Sequence, residues 1–119
     1  MPADALRTAL ALLDAADPAP PDAPSEADLR PWRDRIDAID RAVLHLLNER
    51  ARSANVIGHI KKQLRLPVYA PRREEEVLRN VMESNRGPLP PTAVRHIFER
   101  IIDETRSLER HRYQDEPES

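Results

Sequence analysis

The sequence predicts an all-α fold with three helices per chain, in the order long, short and medium. Only 3% of the 119 residues are aromatic and two are glycine, whereas β-sheets favour aromatic and β-branched residues with glycine-containing turns. Apolar residues recur at helical spacing within three proline-free stretches. We therefore expect helices within residues 32–66, 72–87 and 92–116.

The long helix has an apolar stripe that two shorter helices cannot cover. Asp28 is suited to an N-cap, Pro31 suits a first helical turn, and Pro67 ends the stretch. A helix over residues 28–64 is roughly 55 Å long, whereas a compact domain of this size has a radius of gyration of about 12 Å. We therefore expect a symmetric dimer. The stripe consists of Ile36, Ile39, Val43, Leu46, Leu47, Ile57 and Leu64.

Prolines and a glycine bound the two shorter helices. Pro71 opens the short helix, and Gly87 followed by Pro88 is typical of a glycine C-cap that closes it. Pro90 and Pro91 open the medium helix. Each helix again carries one apolar stripe, formed by Val77, Leu78, Val81 and Met82, and by Val94, Ile97, Phe98, Ile101, Ile102 and Leu108.

Residues 1–27 are predicted to be an appendage and proline-rich linker outside the helical domain. Residues 5–16 carry leucines at helical spacing, and four prolines follow between positions 18 and 24. We expect the helical domain to cover residues 28–112 and a polar tail to cover residues 113–119.

Composition argues against several classes of function. The chain has no cysteine, which excludes disulfides and thiolate chemistry. A net charge of −2 argues against general attraction to nucleic acid or to an anionic membrane. The four histidines lack metal-ligand spacing, so we expect no metal, and neither a membrane span nor a signal peptide is predicted. We expect a soluble, cytoplasmic protein.

Three cations lie on the apolar face of the long helix. On a helical wheel that starts at Ile36, Arg33 lies at roughly +60°. Arg50 lies at roughly −40° and Lys61 at roughly −20°. Because buried charge needs an anionic partner or water, the pattern indicates an anion-binding pocket. Arg33 lies about 25 Å from Arg50 along the helix, which is too far for both to bind one small ligand within a single chain. In a dimer with antiparallel long helices, the Arg33 of the second chain could reach that ligand instead. Two alternatives stay open: side chains that reach past the core to solvent, and ion pairs across the bundle.

Two acids, an arginine and a threonine complete the candidate pocket. Glu109 and Thr105 share the apolar face of the medium helix. Arg73 and Glu74 each lie one turn before an apolar residue on the core-facing side of the short helix. The alternatives are that Glu109 is exposed on a fraying last turn, and that Glu74 only stabilises the helix dipole.

Five runs of sequence occur in the order and spacing of a known family. Over about residues 29–110 the chain resembles the all-helical class of chorismate mutase, and residues 1–27 have no recognised counterpart. The runs are WRDRIDAID at 32–40, LLNERA at 46–51, IGHIK at 57–61, PVYAPRRE at 67–74 and IFERII at 97–102.

The resemblance implies an intertwined homodimer, a six-helix bundle with two active sites. It also implies an isomerase that rearranges chorismate to prephenate, on the route to phenylalanine and tyrosine. This pericyclic reaction needs no cofactor, because the protein only has to hold a dianion in a reactive conformer and stabilise charge on its ether oxygen. A chain of this length has no room for a fused dehydratase, dehydrogenase or synthase domain, so we expect a monofunctional enzyme. Activation by a partner enzyme of the same pathway stays open.

Four basic residues match the family's substrate-binding positions. Arg50 and the Arg33 of the second copy resemble the clamps that hold the substrate carboxylates. Lys61 resembles the cation that contacts the ether oxygen and a carboxylate. Arg73 is similar to a residue that contributes largely through its main chain.

The resemblance also assigns roles to the other polar residues. Glu74 resembles the acid that holds the ring hydroxyl, and Thr105 lies where a small hydroxyl residue contacts a carboxylate. Glu109 matches a position that is Gln or Glu in the family, which implies a protonated donor because a carboxylate would repel the ether oxygen. The chain departs from the family at Ala70, where many members carry an acidic residue, and this weakens the expected hold on the ring hydroxyl.

Two other functions stay open. Isochorismate pyruvate-lyase shares the fold and much of the cationic pocket, and its members look alike around an Ala-Pro pair such as Ala70 and Pro71. Those members tend to lack an acid equivalent to Glu74. The second alternative is a non-catalytic helical dimer or effector-binding module, against which the intact set of charged residues argues.

Overall fold

The computed structural model of the chain describes residues 7, 11 and 21–115. In these residues it contains one short 3-10 turn, three α-helices and no strand. The turn spans Glu26–Asp28, and the helices are α1 (Leu29–Leu64), α2 (Pro71–Ser84) and α3 (Pro91–Asp115). The predicted all-α fold and the helix order are therefore confirmed. Apart from two residues, the helix predicted over 5–16 lies outside the described residues, as do most of the linker and residues 116–119 of the tail.

The chain divides into two compact units at Arg50. The first unit ends with Arg50 and the second begins with Ala51, so α1 contributes to both. In the second unit α2 packs against α3. The buried apolar residues are Ala38 and Ala42 in the first unit, and Ala54, Val94 and Ile102 in the second. These side chains are small or medium in size, and the part of the chain that the structure describes fully buries no large one.

A hydrogen-bonded turn precedes α1. The Asp28 carboxylate accepts hydrogen bonds from the backbone N–H of Ser25 at 2.7 Å and from its hydroxyl at 3.3 Å. Asp28 was predicted to be the N-cap of the long helix, but its side chain instead closes the turn before Leu29. Pro31 lies in the first turn of α1, as predicted, where a missing N–H costs no hydrogen bond.

A left-handed residue ends α1. Arg65 has φ 56°, and its N–H donates to the Lys62 carbonyl at 3.2 Å while the N–H of Leu66 donates to the Lys61 carbonyl at 2.8 Å. This pair of bonds is the Schellman motif, in which glycine is the usual left-handed residue. Pro67 follows and prevents the helix from continuing, as predicted.

The short helix ends earlier than predicted. Pro71 begins α2 as expected, but the helix stops at Ser84 and Asn85 is extended, with φ −68° and ψ 125°. The Asn85 side chain accepts from the Gly87 N–H and donates to the Leu89 carbonyl, both at 3.0 Å. The expected glycine C-cap is therefore wrong. A loop that is held by the side chain of Asn85 takes its place. Gly87, with φ 77°, supplies a left-handed position inside that loop.

The medium helix begins and ends close to its predicted bounds. The Pro90 carbonyl accepts from the N–H groups of Ala93 at 3.0 Å and Val94 at 3.2 Å, which secures the start of α3 at Pro91. Its backbone stays helical to Asp115, three residues into the predicted polar tail. None of the described helices is long and apolar enough to cross a membrane.

A row of large apolar side chains in the first unit is left open. Ile36 is 56% exposed and Val43 46% exposed, although both belong to the predicted stripe of α1. The other members of this open row are Leu29, Trp32 and Leu47. At helical spacing all five residues share one face of α1, and the part of the chain that the structure describes leaves this face exposed.

Candidate active site

A lysine and a glutamate form a mostly buried ion pair in the second unit. Lys61, near the end of α1, places its Nζ 3.2 Å from Oε1 of Glu109 on α3. The same Nζ donates to the Val68 carbonyl at 2.8 Å. Only 16% of the Lys61 side chain and 9% of the Glu109 side chain are exposed. Glu109 is therefore not an exposed residue on a fraying turn, and that alternative is wrong.

A glycine allows α1 and α3 to approach at this ion pair. A Cβ atom on Gly58 would lie 3.0 Å from the Glu109 carbonyl oxygen and 3.1 Å from its Cα. It would also lie 3.2 Å from Cβ of Arg112. These distances are shorter than normal contacts between carbon atoms, so only glycine fits here without a shift. The packing role of Gly58 was missed, although a glycine inside a long helical pattern often marks a close approach.

A second ion pair joins α2 to α3. Glu74, in the first turn of α2, receives hydrogen bonds from Arg106 on both carboxylate oxygens. Arg106 Nε lies 3.0 Å from Oε2, and Nη2 contacts Oε1. Bidentate pairs of this kind are among the stronger protein hydrogen bonds. Glu74 thus does more than stabilise the helix dipole.

The contact of Arg106 with Glu74 was not predicted from the sequence. The signal was available, because Arg106 lies three residues before Glu109 and therefore on a neighbouring face of the same turn. The Glu74 hydrogen bond raises the pKa of Arg106 above its ordinary value, against the opposing effect of burial. Arg106 therefore stays a cation at every pH in which the folded protein can be studied.

The remaining residues of the second unit are placed differently. Thr105 is half-buried on α3, and its Oγ1 donates to the Ile101 carbonyl at 2.9 Å. The Arg73 side chain is largely exposed and pairs with Glu76 on α2. The second unit thus contains two ion pairs, Lys61–Glu109 and Glu74–Arg106, and it leaves the Arg73 side chain at the surface.

Arg33 and Arg50 belong to the first unit. Arg33 is exposed and Arg50 is half-buried. Both lie on or beside the open apolar face of α1, close in helical angle to Trp32 and Ile36. Their predicted roles toward a ligand stay predictions.

Comparison with known proteins identifies the family. Residues 32–110 match the family described as chorismate mutase type II, and these residues include every one of the predicted site residues. The chain belongs to the chorismate mutase type II family. Among the described residues, no group of three or more histidine and acidic side chains could hold a metal ion.

Named relatives and solved structures are consistent with this membership. The chain is 44% identical over 82 residues to the "Bifunctional chorismate mutase/prephenate dehydratase" of Neisseria gonorrhoeae, covering 69% of this chain and 22% of the relative. It is 40% identical to the protein of the same name from Aquifex aeolicus, covering 70% and 24%. The chain therefore spans about a quarter or less of these relatives. A solved chorismate mutase (form II) from Thermus thermophilus is 36% identical, with a TM-score of 0.68 over 70% of this chain and 94% of that one.

Proposed function

We propose that this chain is a chorismate mutase, an isomerase that converts chorismate to prephenate in phenylalanine and tyrosine biosynthesis. The observation that carries the proposal is the Lys61–Glu109 pair. Burying two ionisable groups costs stability unless they are well paired, and such groups are enriched at functional sites. The pair lies within the residues that match the family.

The pair suits the charge that develops in this reaction. As the ether C–O bond breaks and a new C–C bond forms within the same molecule, negative charge builds on the ether oxygen. An ammonium group has three donors, and Lys61 uses one on Val68 and one on Glu109. The third is left for the ether oxygen. We propose that Glu109 lies beside the same oxygen, to which its carboxyl group can donate a second hydrogen bond when it carries a proton.

The substrate carboxylates need further cations, which we assign to Arg50 and to the Arg33 of a second copy. The proposal therefore includes a homodimer, a six-helix bundle in which the open face of α1 is covered by the second chain. The exposure of Ile36, Val43 and Leu47 supports it, because large contiguous apolar patches on a single chain are typical of an interface. Guanidinium groups bind carboxylates through two parallel hydrogen bonds, which would fix the dianion in a compact conformer.

The other assignments follow the resemblance. Glu74 accepts the ring hydroxyl of the substrate, Arg73 contributes its main chain, and Thr105 lies near a carboxylate. We propose that the reaction needs no cofactor and that residues 28–112 form the catalytic domain. We also propose that the protein is cytoplasmic.

The test is the loss of the ultraviolet absorbance of chorismate with purified protein, from pH 5 to 9. We expect rapid loss that Arg50→Ala abolishes, because a substrate carboxylate loses its clamp. Arg41→Ala is the matched control, since Arg41 is an exposed arginine on the same helix. No loss at any pH would overturn the proposal. Release of pyruvate and salicylate from isochorismate, without chorismate turnover, would assign the lyase instead.

A further inference from the structure

Arg106 belongs to one of the two ion pairs of the second unit, and the proposed reaction gives it no role. Its side chain is 27% exposed, and that of Glu74 is 23% exposed. Both carboxylate oxygens of Glu74 receive hydrogen bonds from the one guanidinium group. A two-point contact of this kind fixes the plane of a carboxylate as well as its position.

Arg106 is itself held on two further sides. Its Cζ lies 5.3 Å from the centre of the Tyr69 ring, within the range of a cation–π contact. Its Nη1 lies 3.5 Å from Oδ1 of Asp103, one turn earlier on α3. Arg106 in turn donates to both oxygens of the Glu74 carboxylate. The guanidinium therefore reaches the carboxylate with a fixed orientation.

We infer that Arg106 is a positioning residue, which presents the Glu74 carboxylate to the ring hydroxyl of the substrate. This inference rests on the proposed function, which assigns the hydroxyl to Glu74. Each carboxylate oxygen has two acceptor sites, and Arg106 uses one on each. One site per oxygen stays open to the hydroxyl, so the ion pair and the substrate contact can exist together.

The test is a kinetic double-mutant cycle with Arg106→Gln, Glu74→Gln and the combined variant. We expect Arg106→Gln to lower kcat/KM about tenfold. The loss appears mainly as a higher KM, because the hydroxyl contact exists in both the substrate and the transition state. In the Glu74→Gln background the same substitution causes no further loss, since there is no carboxylate left to orient. Arg106→Lys keeps the positive charge but loses the two-point guanidinium contact. Its kcat/KM should therefore lie between those of the wild type and Arg106→Gln.

A matched control lies on the same helix. Arg100 forms an exposed ion pair with Glu104, with Nη2 and Oε1 2.8 Å apart, so Arg100→Gln should leave kcat/KM and the melting temperature unchanged. If Arg106→Gln does not fold, Arg106→Lys takes its place in the cycle.

The outcomes separate this role from the proposed function. A wild-type protein that does not convert chorismate overturns the proposed function and this role with it. If the wild type is active and Arg106→Gln lowers kcat/KM by the same factor in the wild-type and Glu74→Gln backgrounds, Arg106 has a purely structural role. That result overturns only the inference. A gain in kcat/KM on Arg106→Gln also overturns it, because Arg106 would then be holding Glu74 away from the substrate.

Discussion

The close approach of α1 and α3 at Gly58 makes Gly58→Ala an informative substitution. Inside a helix, alanine is more stable than glycine by about 1 kcal/mol, so helix propensity alone predicts a more stable protein. The new Cβ would lie 3.0–3.2 Å from three atoms of α3, two of which belong to the backbone of Glu109 and cannot rotate away. Ordinary contact requires the helices to separate by about half an ångström.

The two effects can be compared in size. Overpacking of this kind costs about 1–3 kcal/mol, and rigid backbone neighbours place the cost in the upper half of that range. After the gain in propensity, we expect a net loss of about 1–2 kcal/mol in the free energy of unfolding. That corresponds to a melting temperature lower by about 4–16 °C for a domain of this size. Because the same shift moves Glu109 relative to Lys61, we also expect kcat to fall about tenfold.

The assay is thermal unfolding at a fixed protein concentration, together with chorismate turnover. Asn55→Ala is the control, since Asn55 is exposed on the same helix three residues earlier. It should stabilise the protein by about 0.5 kcal/mol through propensity alone and leave kcat unchanged. A Gly58→Ala variant with a raised melting temperature and full activity would refute the argument, because it would show that the two helices separate without penalty.

Three further predictions test the left-handed residue, the buried acid and the open apolar face. Arg65→Gly should stabilise the protein by about 1 kcal/mol, since glycine adopts a positive φ without steric cost; a lower melting temperature would contradict this. Glu109→Gln should keep or raise kcat, because an amide still offers a hydrogen-bond donor to the ether oxygen and carries no negative charge, whereas Glu109→Ala should lower kcat because it offers no donor. A Glu109→Ala variant with the kcat of the wild type would exclude this role for Glu109. Ile36→Asp should raise the dimer dissociation constant at least about tenfold, because it buries an unpaired charge; sedimentation that still shows a tight dimer would place the interface elsewhere.

Helix periodicity predicted the parts of the fold that depend on local sequence. The three apolar stripes gave the helix order, and prolines gave the starts of α2 and α3 to within a residue. The position of Glu109 on the apolar face of its helix predicted that it is buried, and the structure buries it, while its role toward a substrate stays a prediction. These inferences succeeded because an apolar face at helical spacing has to be covered by something.

Contacts between residues distant in sequence were harder to predict. Glu74 and Arg106 are 32 residues apart, and only the packing of α2 on α3 brings them together. The end of α2 was misplaced because Gly87 gave a strong local signal, whereas the backbone already becomes extended at Asn85, whose side chain bonds to the loop that follows. The proposed role of Arg33 requires a second chain, and the pattern of one sequence indicates such a chain without giving its position.

The placement of Thr105, Arg106 and Glu109 on one stretch of α3 has an evolutionary consequence. A substitution that rotates or shifts this turn changes the Lys61–Glu109 and Glu74–Arg106 pairs at the same time. The effects of mutations on the proposed ether-oxygen contact and on the proposed hydroxyl contact should therefore be epistatic rather than additive. Variation on the packing surface of α3 would then be accepted mainly in compensated pairs, with partners on α1 and α2.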